Sequence, residues 1–137
     1  MNERVLTKLS EAKDSVKVVK DNLPDTYERF LDMSRLERDG TYKNIEFAIQ
    51  NILDICAIIL KEEDLKIPGS DEVMLDELKK AGVMSEETIE KIKHMKGFRN
   101  QLVHRYGFLE DEIAYEDIKN GLQDFSEVFE EINKVVS

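Results

Sequence analysis

The chain has 137 residues, of which 41% are hydrophobic and 36% are charged, with only 6 glycines and 2 prolines. This composition is typical of long solvated helices around one core, and it argues against a disordered or sheet-rich chain. The formal net charge of −10 opposes unselective binding to nucleic acids or anionic membranes. We therefore expect one all-α domain over residues 1–137.

Cysteine content and the N-terminal sequence indicate the cellular compartment. Cys56 is the only cysteine and lies in the apolar run 52–60, so we expect a small buried side chain and no internal disulfide. Residues 1–5 lack the apolar core of a signal peptide, and no stretch approaches the roughly 18 apolar residues of a membrane span. The sequence predicts a cytoplasmic protein.

The first third of the chain predicts two helices and the start of a third. An apolar seam with alternating steps of four and three predicts a first helix that ends at Leu23-Pro24. Asp25 and Glu28 resemble a capping box for a short second helix through Leu36. Asp39-Gly40 is expected to interrupt the helical structure, with Thr41 as the cap of the third helix. The seam consists of Val5, Leu9, Ala12, Val16, Val19 and Leu23.

The remaining elements are predicted from apolar spacing and caps. Residues 45–60 are apolar on too wide an arc for a surface helix, so this helix is expected to be central or flanked by a partner chain. Ser70 is predicted to cap a helix of roughly 71–80 that ends at Gly82, and Ser85 to cap the next one. A last helix comes after Gly107, with an acidic solvated face at its start.

The segment 97–106, Gly-Phe-Arg-Asn-Gln-Leu-Val-His-Arg-Tyr, carries the clearest chemical pattern. Arg99 offers a fork of donors that matches phosphate oxygens, and His104 can accept and donate protons near neutral pH. Residues 91–106 contain five cations and no acid, which predicts a local phosphate-binding patch that includes Lys96 and Arg105. An RNA phosphodiester is a suitable target for such a set.

Structural interpretations of the same residues remain open. Arg99 falls on the apolar arc of its helix, where it could snorkel, form a structural ion pair or line an anion-binding cleft. This arc consists of Ile89, Ile92, Met95, Phe98, Leu102, Val103 and Tyr106. His104 lies about 140° around an ideal helix from Arg99, so the two converge only at a bend, at the helix end or across a dimer. His104 could also be a surface cap, and the lysines could simply solvate a helix face.

Together with the upstream segments Arg38-Asp39, 44–50 and 53–55, the segment 97–106 resembles the HEPN superfamily, in particular the HepT-like toxins, over nearly the whole chain. Its Arg99, His104 and Tyr106 fit the family signature Arg-x4-His-x-Tyr. The resemblance implies an up-and-down bundle of five to six helices that forms a homodimer. The two motif helices would then face one another across a cleft.

The resemblance also implies an activity and a partner. The activity is metal-independent endoribonuclease cleavage of RNA, with tRNA or mRNA as candidate targets, by attack of the 2′-hydroxyl on the neighbouring phosphate. His104 would be the acid–base residue, Arg99 would stabilise the phosphorane, and Asn100 would support them. A nucleotidyltransferase antitoxin of the MntA type, in a type II-like or type VII module, would neutralise the toxin by adding AMP units to Tyr106.

An alternative function belongs to a different class. The chain could be a non-catalytic helical adaptor that partners with a minimal nucleotidyltransferase and serves as its substrate. A structural helical dimer without a ligand is a third possibility, which an ion-paired and inaccessible Arg99 would favour. No metal-ligand set, glycine-rich phosphate loop or nucleophile motif is recognisable, so no metal or other cofactor is predicted.

Overall fold

Helices account for all the regular structure in residues 2–63, 69–104 and 110–137, which are the residues that the computed structural model describes. Six helices occur there, and no strand. This agrees with the all-α class and the helix number predicted from the sequence. The helices are α1 (Glu3–Asn22), α2 (Tyr27–Asp32), α3 (Arg35–Glu62), α4 (Asp71–Lys80), α5 (Glu86–His104) and α6 (Asp111–Val136).

The central helix is α3, as its wide apolar arc predicts. It packs against α1, α4 and α5, and its side chains make up a large share of the core. Cys56 is fully buried among them, which confirms its predicted role as a small core residue. Each fully buried isoleucine contributes roughly 1.5–3 kcal/mol of hydrophobic free energy. These isoleucines are Ile45, Ile49, Ile52 and Ile55.

The seam of α1 is also confirmed, because Val5, Leu9, Ala12, Val16 and Val19 are all buried. The helix ends at Asn22, immediately before the predicted stop.

The α1–α2 connection is held from the other end of the chain. The hydroxyl of Tyr115 on α6 donates to the carbonyl oxygen of Pro24 at 2.5 Å. The Tyr115 ring also packs against the rings of Tyr27 and Phe30 on α2. Helix α2 is therefore held against α6 by both polar and aromatic contacts.

Two predictions about helix starts are wrong. The cap of α2 is Thr26 instead of Asp25, and its hydroxyl accepts the backbone N–H of Arg29 at 3.3 Å. Helix α2 also ends at Asp32, before the predicted end at Leu36, which lies in α3. Helix α3 begins after Ser34, and a capping box between Ser34 and Glu37 satisfies the backbone N–H groups of both residues.

Helix α3 also runs through Gly40 without a break. Thr41 is an interior residue whose hydroxyl donates to the carbonyl oxygen of Glu37, so it does not cap a helix as predicted. A single mid-helix glycine costs only about 0.5–1 kcal/mol relative to alanine, which the packing of a helix this long offsets.

The later caps are those predicted from the sequence. The Ser70 hydroxyl accepts the N–H of Val73 at 3.2 Å and starts α4, and Gly82 lies just after that helix with a positive φ of 71°. The Ser85 hydroxyl accepts the N–H of Thr88 at 3.2 Å and starts α5.

The acidic start of α6 is only partly solvated. Asp111 accepts a hydrogen bond from the hydroxyl of Tyr42, and Asp117 contacts a ring nitrogen of His94 at 3.0 Å. Across the described ranges, none of the helices is both long enough and apolar enough to cross a membrane.

Candidate functional site

Helix α5 carries the predicted motif and packs one face into the core. The arc predicted from its spacing is confirmed at five positions, but Val103 is 46% exposed and lies outside the core. Arg99 lies at the edge of this buried arc, and its side chain is only 16% exposed. The buried positions are Ile89, Ile92, Met95, Phe98 and Leu102.

The guanidinium of Arg99 is held by side chains from three helices. Its Nε and one terminal nitrogen donate to Oδ1 of the adjacent Asn100, at 3.2 and 2.7 Å. That terminal nitrogen also approaches Oδ2 of Asp71 on α4 at 3.4 Å, and the other donates to Oε1 of Gln50 on α3. A buried arginine requires such acceptors, because an unpaired guanidinium would be costly to desolvate.

Arg99 is paired and also accessible. It lines a cavity of about 340 Å³ on the outer side of α3 and α5, together with Lys43, Gln50 and Val103. Arg99 therefore forms an ion pair with Asp71 and also lines a cavity. The cavity is completed by Glu46 and the 45% exposed Phe47.

The other described cations of the motif helix are also ion-paired. Lys96, predicted to bind phosphate, contacts Glu72 of α4 at 2.8 Å, and Lys93 contacts Asp76 of the same helix at 2.7 Å. Hydrogen bonds from Lys96 and Lys93 lower the pKa of Glu72, and a hydrogen bond from Lys93 lowers the pKa of Asp76. Acidic side chains of α4 thus cover the cationic side of α5.

A larger groove of about 740 Å³ lies at the far side of Asp71. It is lined by Arg4 and Lys8 of α1, Lys61 of α3 and Asp54 of α3. Asp71 lines this groove and contacts Arg99, so the groove and the arginine site share a carboxylate.

Three predicted site residues lie outside what the structure describes. Helix α5 ends at His104, whose side chain is not among the described residues, and Arg105 and Tyr106 belong to the gap between residues 104 and 110. Within the described ranges, no group of three or more His, Cys, Asp or Glu side chains is arranged to hold a metal ion.

The side chains that contact Arg99 from other helices were not predicted from the sequence. Gln50 lies in the upstream segment that carried the family resemblance, but nothing in the spacing points it toward the motif. Asp71 resembled an ordinary acidic residue in the first turn of a capped helix. Both contacts depend on how α3, α4 and α5 pack, which local patterns do not encode.

Comparison with known proteins gives consistent matches. The family model described as HepT-like, "Ribonuclease HepT-like", matches residues 12–132. The chain is 30% identical over 100 residues to a protein of Archaeoglobus fulgidus, a match that covers 71% of this chain and 75% of that protein. It is 24% identical over 132 residues to the mRNA nuclease HepT of Shewanella oneidensis, covering 96% of this chain and 98% of that one.

Solved structures match the fold. A structure described as the tri-AMPylated Shewanella oneidensis HEPN toxin in complex with MNT antitoxin superposes with a TM-score of 0.85 at 22% identity, covering 98% of this chain and 99% of that chain. At this level of identity the likeness concerns the fold. The match of the family model over most of the sequence goes further: this chain belongs to the HepT-like ribonuclease family.

Proposed function

We propose that this protein is the endoribonuclease toxin of a toxin–antitoxin module and that it cleaves RNA at a site that contains Arg99 and His104. The observation that carries the proposal is the geometry at Arg99. Its guanidinium is held at the wall of an open cavity, with Asn100 and Gln50 as close neutral acceptors and Asp71 as a longer ionic contact. Membership of a ribonuclease family gives this arrangement its chemical context.

The proposed reaction requires a base, an acid and a stabilising cation. His104 takes the proton from the RNA 2′-hydroxyl, whose oxygen forms a bond to the adjacent phosphorus. The bond from phosphorus to the 5′-oxygen breaks, and the partner subunit's His104 protonates that leaving oxygen. Arg99 stabilises the negative charge on the phosphoryl oxygens, Asn100 holds Arg99, and Lys96 and Arg105 attract neighbouring phosphates.

The proposed homodimer places two copies of this site in one cleft. Support comes from three exposed apolar side chains on α3 and α5: Leu36 is 83%, Phe47 45% and Val103 46% exposed. Phe47 and Val103 line the Arg99 cavity, and Leu36 lines a neighbouring cavity. Leu36 and Phe47 lie on the same side of α3 as Gln50, and Val103 lies on α5. An exposed apolar face of this kind is typical of an interaction surface. Joining two such faces would bring two Arg99 cavities together.

The proposed antitoxin is a nucleotidyltransferase of the MntA type that adds AMP to Tyr106. Support comes from the matching structure, whose HEPN toxin is described as tri-AMPylated and bound to an MNT antitoxin. Each added phosphate would bring negative charge two residues from His104 and repel RNA. Intact-mass analysis of the protein after co-expression with such a transferase should show whole AMP increments, which Tyr106→Phe should abolish.

The assay for the nuclease uses purified unmodified protein, total RNA or tRNA, and a chelator. The wild type should cleave RNA, whereas Arg99→Ala and His104→Ala should lose roughly 10²-fold or more of the rate, a typical cost of removing a charge-stabilising or acid–base group. Arg29→Ala is the matched control, because Arg29 is exposed on α2, away from the cavity. Equal cleavage by Arg99→Ala and the wild type would refute the proposed site.

The adaptor function is the second candidate. The observation that favours it is that Arg99 and Lys96 are already paired with Asp71 and Glu72. An adaptor would be modified at Tyr106 by the transferase without cleaving RNA in either state. The same two assays therefore separate the two functions.

A further inference from the structure

The hydrogen bonds of Arg99 lead away from the motif into α3 and α1. Gln50 accepts from the guanidinium through Oε1, and its Nε2 donates to Oδ1 of Asp54 at 2.9 Å. The second oxygen of Asp54 accepts from the ammonium of Lys8 on α1 at 3.3 Å. Four side chains from three helices thus form one polar chain that ends at the guanidinium.

The chemistry of these groups fixes the direction of the Gln50 amide. A guanidinium only donates hydrogen bonds, and a carboxylate only accepts them. Gln50 lies between the two, so its oxygen faces Arg99 and its nitrogen faces Asp54. Asp54 therefore holds the amide in the one orientation that gives Arg99 an acceptor.

The contact with Gln50 holds a terminal nitrogen of Arg99 that Asn100 of the motif does not contact. Asn100 accepts hydrogen bonds from Nε and one terminal nitrogen, and Asp71 contacts that same terminal nitrogen. Among the described residues, the other terminal nitrogen contacts only Gln50. Without Gln50, the guanidinium could rotate about the Asn100 contact toward Asp71, away from the cavity.

We infer that Gln50 and Asp54 are positioning residues for Arg99, in which Asp54 orients the Gln50 amide and Gln50 holds the guanidinium toward the cavity. This inference rests on the proposed function, in which Arg99 stabilises the phosphoryl charge. Displacement of a catalytic group by about 1 Å can cost 10²-fold in rate, so loss of Gln50 should affect turnover more than binding.

The first test separates turnover from binding. Gln50→Leu removes the acceptor at similar size and should lower kcat by roughly 10- to 100-fold, with KM changed by less than about 3-fold. Gln123→Leu is the matched control, because Gln123 is exposed on α6 and its side chain interacts with Glu127 instead of Arg99. In an Arg99→Ala background, Gln50→Leu should cost nothing further, since a positioning residue acts only through Arg99.

The second test reverses the polarity of the pair. Gln50→Glu alone places two carboxylates side by side and should lower kcat. Combining it with Asp54→Asn restores an acceptor toward Arg99 and a donor from residue 54, and should recover kcat to within a few-fold of the wild type. A merely structural role for Gln50 would not produce this rescue.

The outcomes distinguish this inference from the proposed function. If the wild type does not cleave RNA, or if Arg99→Ala cleaves as fast, the nuclease assignment fails and this inference fails with it. If Arg99→Ala is inactive while Gln50→Leu keeps full kcat, only the positioning role is refuted. Additive losses of Gln50→Leu and Arg99→Ala would refute it equally.

Discussion

Asn51 presents a buried polar group that nothing satisfies within the described part of the chain. Its side chain is 4% exposed, and its Nδ2 has no hydrogen-bond partner there. A buried donor left unpaired costs roughly 1–3 kcal/mol. We expect Asn51→Leu to raise the free energy of unfolding by about 1 kcal/mol, as measured by urea denaturation.

The control for this substitution lies on the same helix. The Nδ2 of Asn44 donates to the carbonyl oxygen of Gly40 at 2.8 Å. Asn44→Leu gains the same helix propensity but loses that bond, so it should not stabilise the protein. Equal gains at the two positions would show that propensity alone accounts for the effect.

Cys56 illustrates how burial suppresses reactivity. Removal from water raises the pKa of its thiol to about 12, so almost no thiolate exists at neutral pH. We expect no modification by a thiol-specific reagent in the native protein at pH 8 and full modification in urea. Rapid reaction of the folded protein would contradict the buried placement.

At the level of single residues, the sequence identified Arg99 and Cys56 but not their full environment. An arginine on an apolar arc must find acceptors, and this much can be inferred from the spacing. The identity of those acceptors cannot, because Gln50 and Asp71 are 49 and 28 residues away along the chain. Only the packing of α3 and α4 against α5 brings them together.

Helices α5 and α6 are linked by an ion pair whose strength depends on pH. Lys91 contacts both Glu127 of α6 and Glu87, and its hydrogen bond to Glu127 lowers the pKa of that carboxyl. A lowered folded-state pKa means that the stabilisation is present above the ordinary value of 4.5 and is lost as the pH falls through the folded value.

We therefore expect Glu127→Gln to lower the thermal midpoint at pH 7 and to lose this effect as the pH falls through the folded-state pKa of Glu127, below which the wild-type carboxyl is itself protonated. Thermal unfolding at several pH values tests this. Glu130→Gln, at an exposed position on the same helix, serves as the control. A constant difference between wild type and Glu127→Gln at all pH values would contradict the ion-pair origin.

Helix existence was more predictable than helix starts. The apolar seams of α1 and α3, and the serine caps of α4 and α5, depend on side chains close in sequence. The start of α3 was misplaced because Asp39-Gly40 resembles a turn. The capping box at Ser34 and the burial of Thr41 and Tyr42 extend the helix through that site.

At the scale of the whole molecule, the proposed dimer can be tested by substitutions on the exposed face of α3 and α5. We expect Phe47→Glu and Val103→Glu to shift the protein from dimer to monomer in light scattering, and to abolish RNA cleavage with the fold intact. Ile113→Glu is the control, because Ile113 is 57% exposed on α6. A dimer that survives both substitutions would place the interface elsewhere.

In the proposed RNA complex, the α4 carboxylates that pair with α5 cations also affect the dependence of the affinity on salt. A phosphate that binds Arg99 or Lys96 competes with the carboxylate of Asp71 or Glu72. Each displaced carboxylate then recruits a sodium or potassium ion from solution while the RNA sheds one, so little net counterion release remains. The affinity for single-stranded RNA should then fall more gently than about 0.7 log units per log unit of salt for each phosphate held at these two side chains.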